Sequence, residues 1–511
     1  MKKILFLIAV TFAVVLFPVV SFAEVGDMGF FGGISEGRRL PKTTQRLLAA
    51  SGSNSGNRAS QVNYLYKELI FLSGEPVLFE GILSVSPSGG VLDNVDLGSY
   101  TETYRVSASA TTKPDASVDR FIVFDVNWRR VGQQIIKDYT VRSWSETVAT
   151  PESVFTIDPS QSYFGISIIE DRPAAVTYYR GDVSQRAVYT ADNDEKTGTT
   201  LEAAGSFYGY SSAWSNTETH RIDYMIYTDE WQVQYQVRPS VSVNKILEYT
   251  PNEPSMISFP GNYKEVLQNE SGLSYDIFVK PQRFHEIPGA GSEHILIPNT
   301  FEQLIAPSLS FLRGHPAEDD IKKLFAMQVL EGETTYYKPE QAITRGQFVT
   351  ALVKAIRLPV EPVANPRSRI PVTVITFPDV LQSNPDYPYI MAAYKAGVAV
   401  GRSNGYFYAD ADIERQEALV MMLRALGLEN LGYDPLPVTA FADDGDIKAW
   451  AKRELYAADR IGLIAGDTDG KLNPKDPVSK AEAAALLNRL IEYIRSDLKR
   501  DYADHIVNNP N

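Results

Sequence analysis

The sequence predicts a multidomain chain of two unlike folds: an antiparallel all-β, sandwich-like region, followed by a helical region made of three repeats. Three observations predict it. Trp231-Gln232-Val233-Gln234-Tyr235-Gln236-Val237 alternates apolar and polar residues, as a strand with one buried face must. Ile343-Thr344-Arg345-Gly346, Ile413-Glu414-Arg415-Gln416 and Val478-Ser479-Lys480-Ala481 recur at a period of roughly 65 to 70 residues, the mark of an internal repeat. Behind each of them, apolar residues return at helical spacing: Phe348, Leu352 and Ile356, then Ala418, Met422 and Leu426, then Ala483, Leu487 and Ile491.

The chain opens with Lys2 and Lys3, an apolar run from Ile4 to Val20 and a small-residue exit at Ser21-Phe22-Ala23, so residues 1–23 read as a secretory signal peptide cleaved after Ala23. The absence of cysteine from all 511 residues excludes disulfides and lipoprotein attachment. With 49 Lys+Arg against 63 Asp+Glu the protein is acidic, which argues against nucleic acid or an anionic membrane as partner. After signal cleavage, no membrane association is expected.

Residues 24–60 read as a flexible leader and linker, on the strength of Phe30-Phe31-Gly32-Gly33 and the Ser51 to Asn57 tract. The β region is assigned to 61–300, as one or two units. Its strand-like runs lie at Val77 to Val85, Tyr104 to Ser107, Phe121 to Trp128, Tyr139 to Trp144, Val176 to Tyr179 and Tyr224 to Tyr227, separated by turn chemistry such as Ser86-Pro87-Ser88-Gly89-Gly90. No nucleophile elbow, phosphate loop, dinucleotide fingerprint or zinc-type histidine pair occurs, so no cofactor or metal is expected. Glu170, Asp171, Asp229 and Glu230 could be the paired carboxylates of a glycoside hydrolase, or solvated strand ends; Trp128, Trp214 and Trp231 could form a sugar platform, or a core.

The repeats are assigned to 301–358, 374–430 and 438–497, with 498–511 as a polar tail. Thr344 with Gln347, and Ser479 with Glu482, are capping boxes; Glu414 is a poor cap. Pro359 to Pro378 reads as a spacer. Each repeat also holds a hydrophobic step ending in glycine, at Gly332, Gly401 and Gly466.

Phe377-Pro378-Asp379-Val380, Ala396 to Gly401, Asn404-Gly405-Tyr406-Phe407 and Glu414-Arg415-Gln416-Glu417 resemble one S-layer homology repeat in the family's order. Phe441-Ala442-Asp443, Trp450-Ala451, Ile461 to Gly466, Asp469 to Pro474 and Ser479 to Glu482 resemble another; the first repeat is more degenerate, with His315-Pro316-Ala317 and Thr344-Arg345-Gly346-Gln347 as its matches. The resemblance covers about a third of the chain. It implies a three-pronged domain around a central three-helix bundle. It also implies grooves between prongs that bind secondary cell-wall polysaccharide, commonly one carrying ketal-linked pyruvate.

Carried over residue by residue, that ligand would be met by Arg345, Arg415 and Lys480 at the helix starts, by Asp379, Asp443 and Trp450, and by Gly332, Gly401 and Gly466. A guanidinium at a helix N-terminus suits a carboxylate, and lysine is a weaker substitute because it lacks the fork. Each of these side chains also has a plain structural reading. The aspartates would cap turns, Trp450 would pack between helices, and the arginines would pair with nearby carboxylates. The expected function is a non-enzymatic cell-surface protein held on the wall, with other surface-layer subunits as further partners. The alternative is a wall-anchored carbohydrate hydrolase with its carboxylates in the β region.

Overall fold

The structure is a computed structural model that describes residues 28–37, 61–92, 95–113, 115–192, 194–250, 262–280, 289–332, 337–360, 377–402, 404–432 and 435–502. The expected signal peptide, the Ser51 to Asn57 tract and most of the Pro359 to Pro378 spacer lie outside these residues.

Among the described residues, all strands pair antiparallel in one 15-stranded sheet. In chain order they are β1 (Ile34–Ser35), β2 (Val62–Ile70), β3 (Val77–Pro87), β4 (Leu97–Ala110), β5 (Ser117–Val131), β6 (Gln134–Ala149), β7 (Val154–Ile157), β8 (Tyr163–Asp171), β9 (Val176–Ala191), β10 (Asp194–Ser212), β11 (Ser215–Tyr227), β12 (Gln232–Thr250), β13 (Asn262–Val279), β14 (Ala290–His294) and β15 (Thr300–Ile305). The order is a meander. β7 and β8 together fill the place between β6 and β9, and β14 and β15 share the free edge of β13.

The sheet curls around a single core. Arg120 on β5 forks onto Glu68 on β2 at 2.7 and 3.0 Å, although flat strands that far apart would stand about 14 Å from each other. Phe71, just past β2, stacks on Tyr235 of β12 with ring centroids 4.0 Å apart, so the two ends of the meander meet. The inward face of β4 and β5 carries Glu102, Tyr104, Val106, Val118, Arg120, Ile122, Phe124 and Val126, while Arg105, Ser107, Asp119 and Asn127 face out. That pattern is the reverse of strands facing lipid. Buried charges meet across this face: Arg120 also binds Glu146 at 2.7 and 2.8 Å, and Lys137 lies 2.5 Å from Glu170, while Glu102 accepts from the Tyr100 and Tyr104 hydroxyls. The strands are longer than the runs legible in the sequence because this core admits Glu, Arg and Lys, which break an apolar pattern.

Residues 28–37 are not a leader. Met28, Phe30, Phe31 and Ile34 are buried, Phe30 packs on Tyr104, Tyr139 and Phe207, and Phe31 lies under the Arg120 guanidinium. β1 pairs with β2, and the Ser35 carbonyl accepts from Ser271 Oγ on β13, so this segment seals the seam where the sheet returns on itself. The boundary with the repeats also moves: Thr300–Ile305 belongs to the sheet, with Leu304 in the core.

The helical part contains α1 (Glu318–Ala326), α2 (Arg345–Ala355), α3 (Tyr387–Lys395), α4 (Arg415–Leu426), α5 (Lys452–Arg460) and α6 (Lys480–Glu492), continued through a π turn at Tyr493–Asp497 into α7 (Leu498–Asp501). The repeats interlock. α2 packs on α3, α4 on α5, and α6 returns to α1, so the second helix of each repeat is covered by the first helix of the next. Residues 498–502 are not a tail: Leu498 and Tyr502 are buried, and the Tyr502 hydroxyl donates to the Tyr179 carbonyl at 2.9 Å.

The bundle stands end-on against the β region. The last carbonyls of a helix have no partner within it, and here residues of the β region supply one for each central helix. Trp214 Nε1 donates to Ala355 O at 2.8 Å, the Ala175 N–H to Ala425 O at 2.8 Å, Tyr178 Oη to Leu426 O at 3.0 Å, and Ser215 Oγ to Ile494 O at 2.7 Å. Gly427 ends α4 at φ +68°, and a Cβ there would come within 2.5 Å of Pro173, so both the turn and the contact require glycine. Arg357 and Lys245 sit at the α2 end of this junction, both on Glu265 and both near the Trp214 ring. Their charge suits the negative end of a helix. The helix starts lie about 16 to 20 Å away, at the opposite end of the bundle.

Candidate functional site

At those starts a closed ring of main-chain hydrogen bonds joins the three repeats. Ile343 N–H donates to Val478 O at 2.8 Å, Val478 N–H to Ile413 O at 3.0 Å, and Ile413 N–H to Ile343 O at 3.2 Å. The amides of the first turns run round the repeats in the opposite sense. Arg345 and Gly346 donate to Ala411 and Ala409, Arg415 and Gln416 to Asp476 and Pro474, and Lys480 and Ala481 to Gln341 and Pro339, all at 2.8 to 2.9 Å. Thr344 and Ser479 cap the third amide through their hydroxyls at 3.2 Å. At the second repeat the third amide, Glu417 N–H, donates to the Glu414 carbonyl at 2.9 Å; the Glu414 carboxylate goes to Lys448 and Gln416, and the Glu417 carboxylate accepts the Glu414 N–H at 3.2 Å. The helix-start amides are thus spent on the neighbouring repeat, and an anion arriving there would meet side-chain charge.

The three cations occupy unlike settings. Arg345 is only 3% exposed: it lies over the Phe407 ring, donates to Val400 O at 2.8 Å and stands 3.0 Å from Glu417 of the second repeat. Burial holds its guanidinium below the usual arginine range, although Glu417 pulls the other way. Arg415 reaches Glu482 of the third repeat at 2.7 Å and keeps part of its side chain in solvent. Burial alone would push the Glu482 carboxyl up, but the Ser479 amide and Arg415 outweigh it and hold Glu482 low. Lys480 donates to Gln341 of the first repeat at 3.1 Å and lies 5.7 Å from the Tyr337 ring; among the described residues it has no carboxylate partner.

The other expected residues divide by what they touch. Asp379 accepts the Phe407 and Tyr408 amides at 2.9 and 2.6 Å, and Asp443 accepts those of Leu472 and Asn473, both at 2.8 Å. Each aspartate therefore locks the two ends of its own repeat together. A Cβ on Gly401 would come within 2.9 Å of Phe377, and one on Gly466 within 2.9 Å of Gly470, so these glycines serve closure within the repeat; Gly332 faces open space at φ +116°. Trp450 is 46% exposed, two residues after Lys448, whose ammonium binds Glu414 and whose amide donates to Gln416. That sets the Ala449–Ala451 turn beside α4.

A further cation emerges from the geometry. Arg402 also binds Glu417, at 3.1 and 3.2 Å, sharing Oε1 with Arg345; it lies over Tyr408 and keeps part of its side chain in solvent near exposed Tyr406, Tyr408 and Val400. Its position directly after Gly401 was the only signal in the sequence. The groove between the first two repeats therefore carries two guanidiniums on one carboxylate, with a tyrosine rim.

The family model described as S-layer homology domain matches residues 312–349, 376–419 and 440–484. Residues 312–484 carry three S-layer homology domains. No family model matches the region before them. Among similar proteins, the exoglucanase XynX of Acetivibrio thermocellus is 28% identical over 212 residues, 40% of this chain and 18% of the relative. An S-layer protein of Bacillus licheniformis is 31% identical over 178 residues, 34% and 18% of the two chains. S-layer protein EA1 of Bacillus anthracis is 30% identical over 175 residues, 34% and 19%. The chain thus spans under a fifth of the length of each of these relatives. The S-layer homology domains imply binding to a cell-wall polymer, and with the S-layer relatives they indicate a cell-surface location.

Proposed function

We propose that this protein is a non-enzymatic surface protein held non-covalently on the wall. Its S-layer homology repeats grip an acidic, pyruvate-bearing secondary wall polysaccharide, and the β region is displayed beyond them. The observation that carries this reading is the set of cations at the open end of the bundle, Arg345 and Arg402 between the first two repeats, Arg415 between the second and third and Lys480 between the third and first, of which Arg402, Arg415 and Lys480 keep part of their side chains in solvent. Carboxylates on a sugar chain would compete for guanidiniums that now rest on Glu482 and Glu417, and Trp450, Tyr406 and Tyr408 offer faces for sugar rings. The test is co-sedimentation of the full chain with purified wall sacculi, before and after removal of pyruvyl groups. Weaker retention on stripped walls is expected; equal retention would reject a carboxylate-reading groove.

A second reading, a wall-anchored carbohydrate hydrolase, is favoured by the glycoside hydrolases among the relatives. Of the carboxylates considered for it, Glu170 is fully buried between Lys137 and Arg172, which hold it ionised and low despite burial, so it suits a structural role better than a proton donor. Asp229 and Glu230 stand exposed on the turn between β11 and β12. Turnover of a polysaccharide by the full chain, abolished by Glu230→Gln or Asp229→Asn, would replace the first reading with this one.

A further inference from the structure

The segment that seals the seam is built like a bound peptide. Of residues 28–37 only Glu36 is part-exposed, and the other nine are buried. Their contacts fall on parts of the sheet that are remote in sequence. Along β2, Ile34 and Ser35 pair with Lys67 and Tyr66, and the Glu36 N–H donates to Leu65 O at 3.1 Å. From the other side, Ser271 Oγ of β13 donates to Ser35 O at 2.6 Å. Inside, the Phe30 ring has its centroid within 6.4 Å of those of Tyr104, Tyr139, Phe207 and His220, which come from β4, β6, β10 and β11. The approach is close as well: a Cβ on Gly33 would stand 2.3 Å from Tyr66 Oη and 2.5 Å from Lys67 O. The groove is thus made by the sheet, and the segment only fills it.

What joins the segment to its groove is longer than the pairing requires. Continued in register, Gly37 would face Tyr64, a gap that a loop of about two to five residues closes. Residues 38–60 intervene instead, which fully extended would span at most about 75 Å. A tether of that length presents the segment to its own groove at an effective concentration on the order of millimolar. A segment exchanged between two copies makes the same contacts in either groove. The choice between own and neighbouring groove therefore rests on that concentration rather than on any bond.

We propose that residues 28–37 dock in the seam of a second copy when copies are crowded to millimolar levels, adding their short strand to its β2 edge and Phe30 and Phe31 to its core. The seam is then an acceptor site, and its partner is another molecule of this chain. This inference is independent of how the repeats hold the wall.

The absence of native cysteine permits a trapping experiment. Ser35 and Tyr66 face each other at a non-hydrogen-bonded position of the β1–β2 pair, within the span of a disulfide. Two full-length chains, one Ser35→Cys and the other Tyr66→Cys, are mixed at millimolar concentration, incubated in sub-denaturing urea so that segments exchange, and oxidised. The specific covalent heterodimer forms when the segment of one chain lies on β2 of the other. Its yield is expected to exceed about tenfold that of Ser35→Cys mixed with Ser107→Cys, whose cysteine faces outward on β4, and to fall as the mixture is diluted below millimolar before oxidation. Ile34→Cys with Lys67→Cys, the next pair along the strand, reads the same contact at a part-exposed β2 position and serves if Tyr66→Cys fails to fold. Yields from both pairs no greater than the Ser107 control, or a heterodimer yield that does not fall on dilution, would overturn the proposal.

Discussion

The two ends of the three-helix bundle are built on opposite principles. At the carboxyl end, the β region meets every central helix, and Trp214, Ala175, Tyr178 and Ser215 supply the donors that the terminal carbonyls lack. At the amino end the repeats satisfy one another through a closed ring, which leaves side-chain cations as the free chemistry. One end spends its hydrogen bonds on holding two folds together, and the other on holding three repeats in register. Substitutions at the two ends should therefore fail in different assays.

The largest effect belongs to the sealed end. Trp214→Ala removes a buried indole, its bond to Ala355 and the surface on which Arg357 rests, and should cost about 4 kcal/mol in denaturant unfolding. Wall retention of the molecules that remain folded should be unchanged. Arg345→Ala comes next. It stands at the amino end yet is buried, so it should behave as a structural residue and cost about 3 kcal/mol by leaving buried Glu417 with Arg402 alone. A stable Arg345→Ala protein with lost retention would place Arg345 on the binding side of the comparison. Arg415→Ala, across a partly exposed pair, should change stability by less than about 1 kcal/mol but weaken sedimentation with sacculi several-fold.

A pH dependence also belongs to the sealed end. Burial, and then Arg357, lower Lys245 from 10.5 to about 8, against the pull of Glu265. Between those two values the unfolded chain binds the proton that the folded one has lost, so stability should rise with pH through that window and be flat below it. Lys245→Met should flatten the rise in denaturant midpoints measured from pH 8 upward.

The repeats were legible because their signals are local: the capping pairs Thr344–Gln347 and Ser479–Glu482 appear in the structure as the sequence predicts them, each within four residues of chain. The antiparallel β region was legible from alternation, most clearly where Gln232–Thr250 became β12. Met28–Gly37 was not. Phe30-Phe31-Gly32-Gly33 has no strand pattern, and only a curled sheet with an open seam explains why it is buried. The helix-start cations could be named from the sequence, but their settings could not, because Glu417 and Glu482 lie in the repeat after the one whose arginine they meet. Arg402 gave no such signal, because its pairing with Glu417 lies within the second repeat but joins residues 15 apart, beyond any local helix or capping pattern.

Because the β region clasps all three helix ends, tension applied at its far end would, on the proposed wall attachment, be divided among three helices. A shear force that peeled one groove open would still find the remaining two loaded through stiff helices rather than through a hinge. Detachment under flow would then call for several releases together, an advantage of concurrent attachment that no single contact supplies.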